Sequence, residues 1–128
     1  MGIDAEVKKE VEVKILNVDR ATIESKLDNI GASCLWTARV TDWIYQNYSK
    51  KYRGQIMRIR QYTYNSVQLP SELAWKGPDE NDTVFKIKPE IQTRIEDPNN
   101  ADSILGRIGW KKSGHREKVR TKYNYKGV

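Results

Sequence analysis

The sequence of 128 residues holds one cysteine, Cys34, and one histidine, His115. A single thiol cannot close an intrachain disulfide, and one thiol with one imidazole cannot assemble a soft-metal ligand set. Any metal must therefore be held by oxygen ligands. Long apolar runs are also missing: no stretch approaches the roughly 18–20 residues that a membrane helix needs. The amino terminus, MGIDAEVKKE, lacks the basic end and apolar stretch of a secretory signal. Gly2 follows Met1, but Glu6 stands where a myristoylation signal carries Ser or Thr. A soluble, cytoplasmic protein is expected. There is no P-loop, no Rossmann fingerprint and no zinc motif. With no linker or low-complexity tract either, residues 1–128 read as a single domain, which excludes a two-domain enzyme. Cys34 reads as a small strand residue, and His115, beside Gly114, as an exposed turn residue.

What is present is charge. The chain carries 23 basic and 17 acidic residues, a formal net charge of +6. A positive field raises the local concentration of phosphates and polyanions, which makes anions the expected partners.

Two helices are expected on a background of strands. The first runs from about Asp19 to Ile30, with Asp19 as N-cap, Ile23, Leu27 and Ile30 on one face and Gly31 as the stop. The second runs from about Asn100 to Ile108, with Ile104, Leu105 and Ile108 as its apolar face and Gly109 after it. Their similar endings, LDNIGA and LGRIGW, admit two readings, two copies of a strand-then-helix unit or the chemistry of helix ends, and the second is preferred. Residues 6–16, 34–47, 56–64, 72–77, 84–96 and 116–126 alternate with period two and read as strands. Loops are expected at 48–55, 65–71 and 77–82, where Gly, Pro, Asn, Asp and Ser gather. The fold class is α+β, a largely antiparallel sheet with two short helices.

Residues two apart on a strand share a face. The first strand places Lys8, Glu10, Glu12 and Lys14 on one face and Val7, Val11, Val13 and Ile15 mainly on the other. Arg58 and Arg60 oppose Met57 and Ile59; Lys76 opposes Trp75; Lys118 and Arg120 oppose Val119. Lys86, Lys88, Glu90, Gln92 and Arg94 oppose Phe85, Ile87, Ile91 and Ile95. One charged face per strand is the ordinary solvated side of an antiparallel sheet. As a set, however, these faces concentrate Arg and Lys on four strands and paired carboxylates on another. Guanidinium groups fork onto phosphate oxygens and lysines supply point charges. Glu10 and Glu12 would repel unless a cation or basic neighbours lay between them, and Mg²⁺ or Mn²⁺ bound through carboxylates and phosphate oxygens fits that need.

The segment EVEVK at 10–14 resembles the ExExK signature of the CYTH superfamily, the triphosphate tunnel metalloenzymes. That family includes class IV adenylate cyclases, thiamine triphosphatases and inorganic tripolyphosphatases. Its companion motifs follow in order: MRIR at 57–60, LAWKGP at 73–78, KPEIQ at 88–92, the helix ending LGRIGW, and EKVRTKY at 117–123. The resemblance implies an antiparallel β-barrel with charged faces turned into a tunnel and apolar faces outward beneath helices. By it, Glu10 and Glu12 ligate the divalent cation with Glu90 as a further acidic tunnel position. Lys14, Arg58, Arg60, Lys76, Lys88, Lys118 and Arg120 grip a triphosphate, and Lys14 also activates or orients the attacking group. It implies Mg²⁺- or Mn²⁺-dependent binding of inorganic tripolyphosphate or a nucleoside or thiamine triphosphate. Hydrolysis follows from it; class IV cyclisation or binding without turnover are the alternatives.

The sequence departs from the family pattern at Gln92, where a second glutamate is common, and at Lys88, where arginine is common. Family members also continue beyond the strand at 116–126 with further acidic strands, so a shortened, incomplete barrel is expected. Open strand edges favour pairing between chains, which leads to an expected homodimer. A nucleic-acid binder is the remaining alternative, prompted by basic residues interleaved with Tyr45, Tyr48, Tyr52, Tyr62, Tyr64, Tyr123 and Tyr125. The interleaved glutamates oppose it. Trp36, Trp43, Trp75 and Trp110 read as core or outer-face packing.

Overall fold

The computed structural model describes residues 5–12, 14–80 and 86–128. Gly2, Val13, Phe85 and the parts of the expected 77–82 loop and 84–96 strand that fall at 81–85 lie outside those residues.

Strands form where charged and apolar residues alternate: β1 (Lys8–Glu12), β2 (Ser33–Gln46), β3 (Ile56–Tyr64), β4 (Val67–Gln68), β5 (Ser71–Lys76), β6 (Lys86–Ile95) and β7 (Lys111–Asn124). All pair antiparallel, in the order β1-β6-β5-β3-β2-β7, with β4 attached to β3. The two-residue turn between β3 and β4 takes positive φ at both Asn65 and Ser66, the handedness that matches strand twist in a tight hairpin. The sheet curls into an open half-barrel with two helices. Its curvature is visible in burial: Val40, Ala74, Arg58 and Arg60 share the concave face, no helix covers them, and all are buried.

The hydrophobic core lies on the other side. Tyr45, Ile59, Leu105 and Trp110 form its buried centre, with Trp43, Met57, Leu73, Ile95 and Ala101 packed around them. Leu105 belongs to α2 (Pro98–Arg107), so this helix supplies the cover that the apolar convex face requires. Tyr45 reaches the same helix through its hydroxyl, which donates to Asp102 Oδ1 at 2.5 Å. By contrast α1 (Arg20–Asn29) buries no residue; Arg20 Nη2 ties it to β7 by donating to Thr121 Oγ1 at 2.7 Å. Of the two expected helices, one therefore builds the core.

The helix caps explain the shared phrase in the sequence. Asp19 accepts from Thr22 N, and Asp97 from Asn100 N, each at 3.0 Å. At the far ends, Gly31 and Gly109 adopt φ of +84° and +96°, a conformation in which a Cβ is penalised. Ala32 N then donates to Leu27 O, and Trp110 N to Leu105 O, each at 2.9 Å, the six-to-one bond that closes a helix. LDNIGA and LGRIGW are thus two uses of one terminator.

Several boundaries differ from those expected. Helix α2 starts two residues earlier, because Pro98 occupies the first turn, where its missing N–H costs nothing. Strand β1 ends at Glu12, leaving Lys14 to Leu16 outside it. Strand β7 begins at Lys111, not 116, and takes in His115, which is a strand residue rather than a turn residue. The cause is the 14-residue β2, which pairs along its whole length: Trp43 lies opposite His115 and Ile44 opposite Gly114. His115 is exposed on the convex face, its ring 5.4 Å from that of Trp43. No helix of the described residues is long and apolar enough to cross a membrane.

Candidate functional site

Residues directly opposite in an antiparallel pair share a face, so register alone assembles the concave surface. Glu10 lies opposite Lys88, Lys76 opposite Glu90, Arg58 opposite Ala74, Arg60 opposite both Asp42 and Glu72, Val40 opposite Lys118 and Ala38 opposite Arg120. The expected site residues Glu10, Glu12, Arg58, Arg60, Lys76, Lys88, Glu90, Lys118 and Arg120 are all on this one face. Lys14 is the exception, exposed beyond the end of β1.

At the centre, Arg60 holds Asp42 through two hydrogen bonds, Nε to Oδ1 at 2.6 Å and Nη2 to Oδ2 at 2.9 Å. Lys118 Nζ stands 3.8 Å from the same carboxylate. Burial alone would raise Asp42, but the bonds and charge of Arg60, helped by Arg58 and Lys118, hold its pKa below the usual value. Burial is also the first influence on Arg60; here the bond to Asp42 wins and its pKa rises. Sequence reasoning missed Asp42. Its signal was there, an acid at the parity that otherwise carries Cys34, Trp36, Ala38, Val40 and Ile44, but that parity reads as the apolar face, and only pairing with Arg60 turns it to the charged side.

Arg58 is 6% exposed, and its Nε is buried with no hydrogen-bond partner among the described residues. Its nearest acid is Glu90, at 3.7 Å from Nη2. Burial and the neighbouring Arg60 lower its pKa against the pull of Asp42, Glu90 and Glu72. Lys118 shows the same stress: burial, Arg60, Arg120 and Arg116 depress its pKa although Asp42 opposes them. Such crowding is what a bound polyanion would relieve.

On the neighbouring wall, Lys76 Nζ donates to Glu10 Oε2 at 2.8 Å. Glu10 and Glu90 face one another as well. Burial and the Glu10 charge raise Glu90; burial is also the first influence on Glu10, but Lys76, with Glu90 and Arg58, outweighs it and lowers Glu10. Two adjacent carboxylates that resist joint ionisation fit a hard divalent cation bound through one or two carboxylates and completed by ligand oxygens and water. No group of three or more His, Cys, Asp or Glu side chains that could hold a metal is found among the described residues. The fit therefore rests on this pair, with Glu12 two residues from Glu10 on the same strand and opposite Lys86.

Beyond Arg60 the same face turns aromatic. Trp36 meets Tyr62 edge-on, with ring centroids 6.1 Å apart and planes at 82°. Trp36 shares the face of Ala38 and Val40, so of the four tryptophans it is the one that packs neither in the core nor on the outer surface. A β-bulge between Cys34 and Trp36 accompanies this placement.

These features define a class: an antiparallel, inside-out half-barrel whose charged face is turned inward. No family model and no curated protein matches the sequence. Solved structures do match its fold. The PH1819 protein from Pyrococcus horikoshii OT3 aligns with 94% of this chain and 66% of its own, at 22% identity and a TM-score of 0.73. A conserved hypothetical protein from Pyrococcus furiosus aligns with 96% of this chain and 68% of its own, at 19% identity and a TM-score of 0.67. A structure from Vibrio parahaemolyticus described as “a putative adenylate cyclase” aligns with 91% of this chain and 62% of its own, at 15% identity and a TM-score of 0.62. The chain thus spans about two thirds of the length of the structures it matches. At these identities the likeness is one of fold, and it meets the barrel that the motifs led one to expect.

Proposed function

We propose that the concave face binds a triphosphate-containing small molecule together with Mg²⁺ or Mn²⁺, and hydrolyses it. The observation that carries this reading is the convergence of Arg58, Arg60 and Lys118 around one buried carboxylate, with Arg58 Nε left unpaired among the described residues. A solvated sheet face would carry its cations exposed, with water on every donor; a buried guanidinium with a spare donor calls for an anion. Lys76, Lys88 and Arg120 extend the grip along the curve. Glu10 and Glu90, with Glu12 beside them, would hold the cation, which when bound neutralises phosphate charge and orients the chain for attack.

Phosphoryl transfer asks mostly for positioning and charge stabilisation, both of which this face can supply. The motif resemblance gives Lys14 the task of orienting the attacking group. A depressed, cation-crowded lysine suits that task, and Lys118 has this setting, whereas Lys14 stands exposed. Cyclisation of a nucleoside triphosphate is the second reading, favoured by the fold likeness to the Vibrio parahaemolyticus structure and its description. A second copy of the chain pairing along β1 or β7 would extend the wall into a homodimer, and a cytoplasmic setting agrees with the lone free cysteine.

The test is phosphate release from tripolyphosphate and ATP with Mg²⁺ and with Mn²⁺, in wild type and in a Glu10→Gln, Glu12→Gln double variant, with binding followed by calorimetry. Metal-dependent release that disappears in the variant is expected. Binding without release in wild type would reduce the function to ligand capture, and absence of both would return the basic face to nucleic-acid binding.

A further inference from the structure

We infer that Asp42 is a specificity-determining residue of this site: it fills the Arg60 fork as a resident anion, leaves the Arg58 fork to the ligand, and so limits how far a phosphate chain can run along the concave face. The inference rests on the phosphate-binding reading and deepens it, naming the residue that sets how much negative charge the site accepts.

Arg58 and Arg60 stand two apart on β3 and share a face, yet the flanking strands treat them in opposite ways. Arg58 lies opposite Ile44 on β2 and Ala74 on β5, neither of which offers a side-chain acceptor. Arg60 lies opposite Asp42 and Glu72, an acid on either side. Asp42 takes both Nε and Nη2 of Arg60, whereas Arg58 Nε is buried without a hydrogen-bond partner among the described residues. Burial acts first on both guanidinium groups and lowers both pKa values; at Arg60 the Asp42 bonds overturn it, and at Arg58 the surrounding acids do not. A guanidinium fork binds carboxylate and phosphate oxygens in the same two-pronged way, so a phosphoryl group finds one fork open and one already filled.

The fork that Asp42 fills lies midway along the concave face. Toward the Glu10 and Glu90 end, Lys76 and Lys88 continue the cationic path from Arg58. Toward the other end lies a cleft of about 920 Å³, lined by Trp36, Tyr62 and Glu72 and carrying Lys8, Arg94 and Lys122. Those cations would hold the far end of a long phosphate chain, but Asp42 and Glu72 stand on either side of the passage at Arg60. Asp42, 2% exposed, is the stronger barrier, because it is too buried to turn away into water and charges in such surroundings are screened little. A chain held at Arg58 is therefore directed toward Lys76 and Lys88 and opposed at Arg60.

The test is calorimetry with pyrophosphate and tripolyphosphate, each with Mg²⁺, on wild type, Asp42→Asn and Glu72→Gln. Asp42→Asn is expected to bind tripolyphosphate about tenfold or more tighter than wild type does, with a smaller gain for the shorter, less charged pyrophosphate. A role confined to holding the fold would loosen the site and weaken both. Glu72→Gln removes an equal charge beside Arg60 without emptying its fork, and should gain less. Thermal melting shows whether Asp42→Asn is folded; if it is not, a second pair that keeps the Asp42 counterion in place decides. Arg58→Lys should weaken tripolyphosphate about fivefold or more by removing the open fork, and Arg60→Lys should weaken it less. Unchanged or weaker tripolyphosphate binding by folded Asp42→Asn, or equal losses in the two lysine variants, would overturn the role of Asp42 and leave the phosphate site standing. Absence of binding by wild type would overturn both.

Discussion

Arg60 and Asp42 form a two-pronged ion pair on the concave face, at 2.6 and 2.9 Å, with Asp42 only 2% exposed. Asp42→Asn would leave Arg60 a buried charge without its counterion and remove the carboxylate facing Lys118. A loss of about 3–5 kcal/mol at pH 7, measured by urea denaturation, is expected. Tripolyphosphate should restore part of it by returning negative charge to the same cations. The pH dependence has a definite sign. The folded pKa of Asp42 lies below its unfolded value near 3.9, so its contribution is complete above that value and is lost as pH falls through the folded pKa. Wild type and variant should converge in acid.

Glu90 behaves in the opposite way. Its folded pKa is raised by burial and Glu10, so its contribution is complete below the unfolded value of about 4.3 and is lost as pH rises through the folded pKa. Glu90→Gln should therefore leave the ligand-free protein as stable as wild type, or more so, at pH 7. Divalent cation bound between Glu10 and Glu90 would favour the ionised form of Glu90. Calorimetry in buffers of different ionisation enthalpy, between pH 4 and 6, should detect proton release on Mg²⁺ binding to wild type and less of it in the variant.

Phosphate affinity should depend on where a cation sits rather than on net charge. Arg58→Ala and Lys76→Ala each remove one positive charge from the concave face; Lys51→Ala removes one from an exposed turn. The first two should weaken tripolyphosphate binding about tenfold or more, the worth of a hydrogen bond to a charged group, and the third hardly at all. Equal effects in all three would undo the assignment of the concave face.

Changes on the convex side should affect folding and spare binding. Leu105→Ala should cost about 2–5 kcal/mol by opening a cavity between α2 and the sheet. Tripolyphosphate affinity, measured where the variant is still folded, should remain at the wild-type level.

Much of this architecture could be read from local chemistry. Asp19, Gly31 and Gly109 end their helices as capping rules require, and the strict alternation in MRIR fixes which β3 residues face the concave side. What escaped reading depends on neighbours far along the chain. Asp42 shares its parity with the apolar Trp36, Ala38, Val40 and Ile44, so only its register against Arg60 reveals its face. The start of β7 is set by the length of β2, which holds Ser113 and Gly114 in the sheet despite their preference for turns. The motif EVEVK suggests one face for Glu10, Glu12 and Lys14, but β1 ends before the lysine. Trp36 looks like core until the curl of the sheet turns it toward the cleft.

Because β3 is apolar on its outer side and charged and aromatic on its inner side, two kinds of information alternate along a single strand. Met57 and Ile59 hold the fold, while Arg58, Arg60 and Tyr62 line the concave face. A saturation scan of this strand would show a two-stroke rhythm, expression failing at one position and selectivity shifting at the next. Substrate preference can then drift through many sequences on a scaffold that is inherited almost unchanged. Asp42, facing inward yet bracing the cations, ties the two histories together.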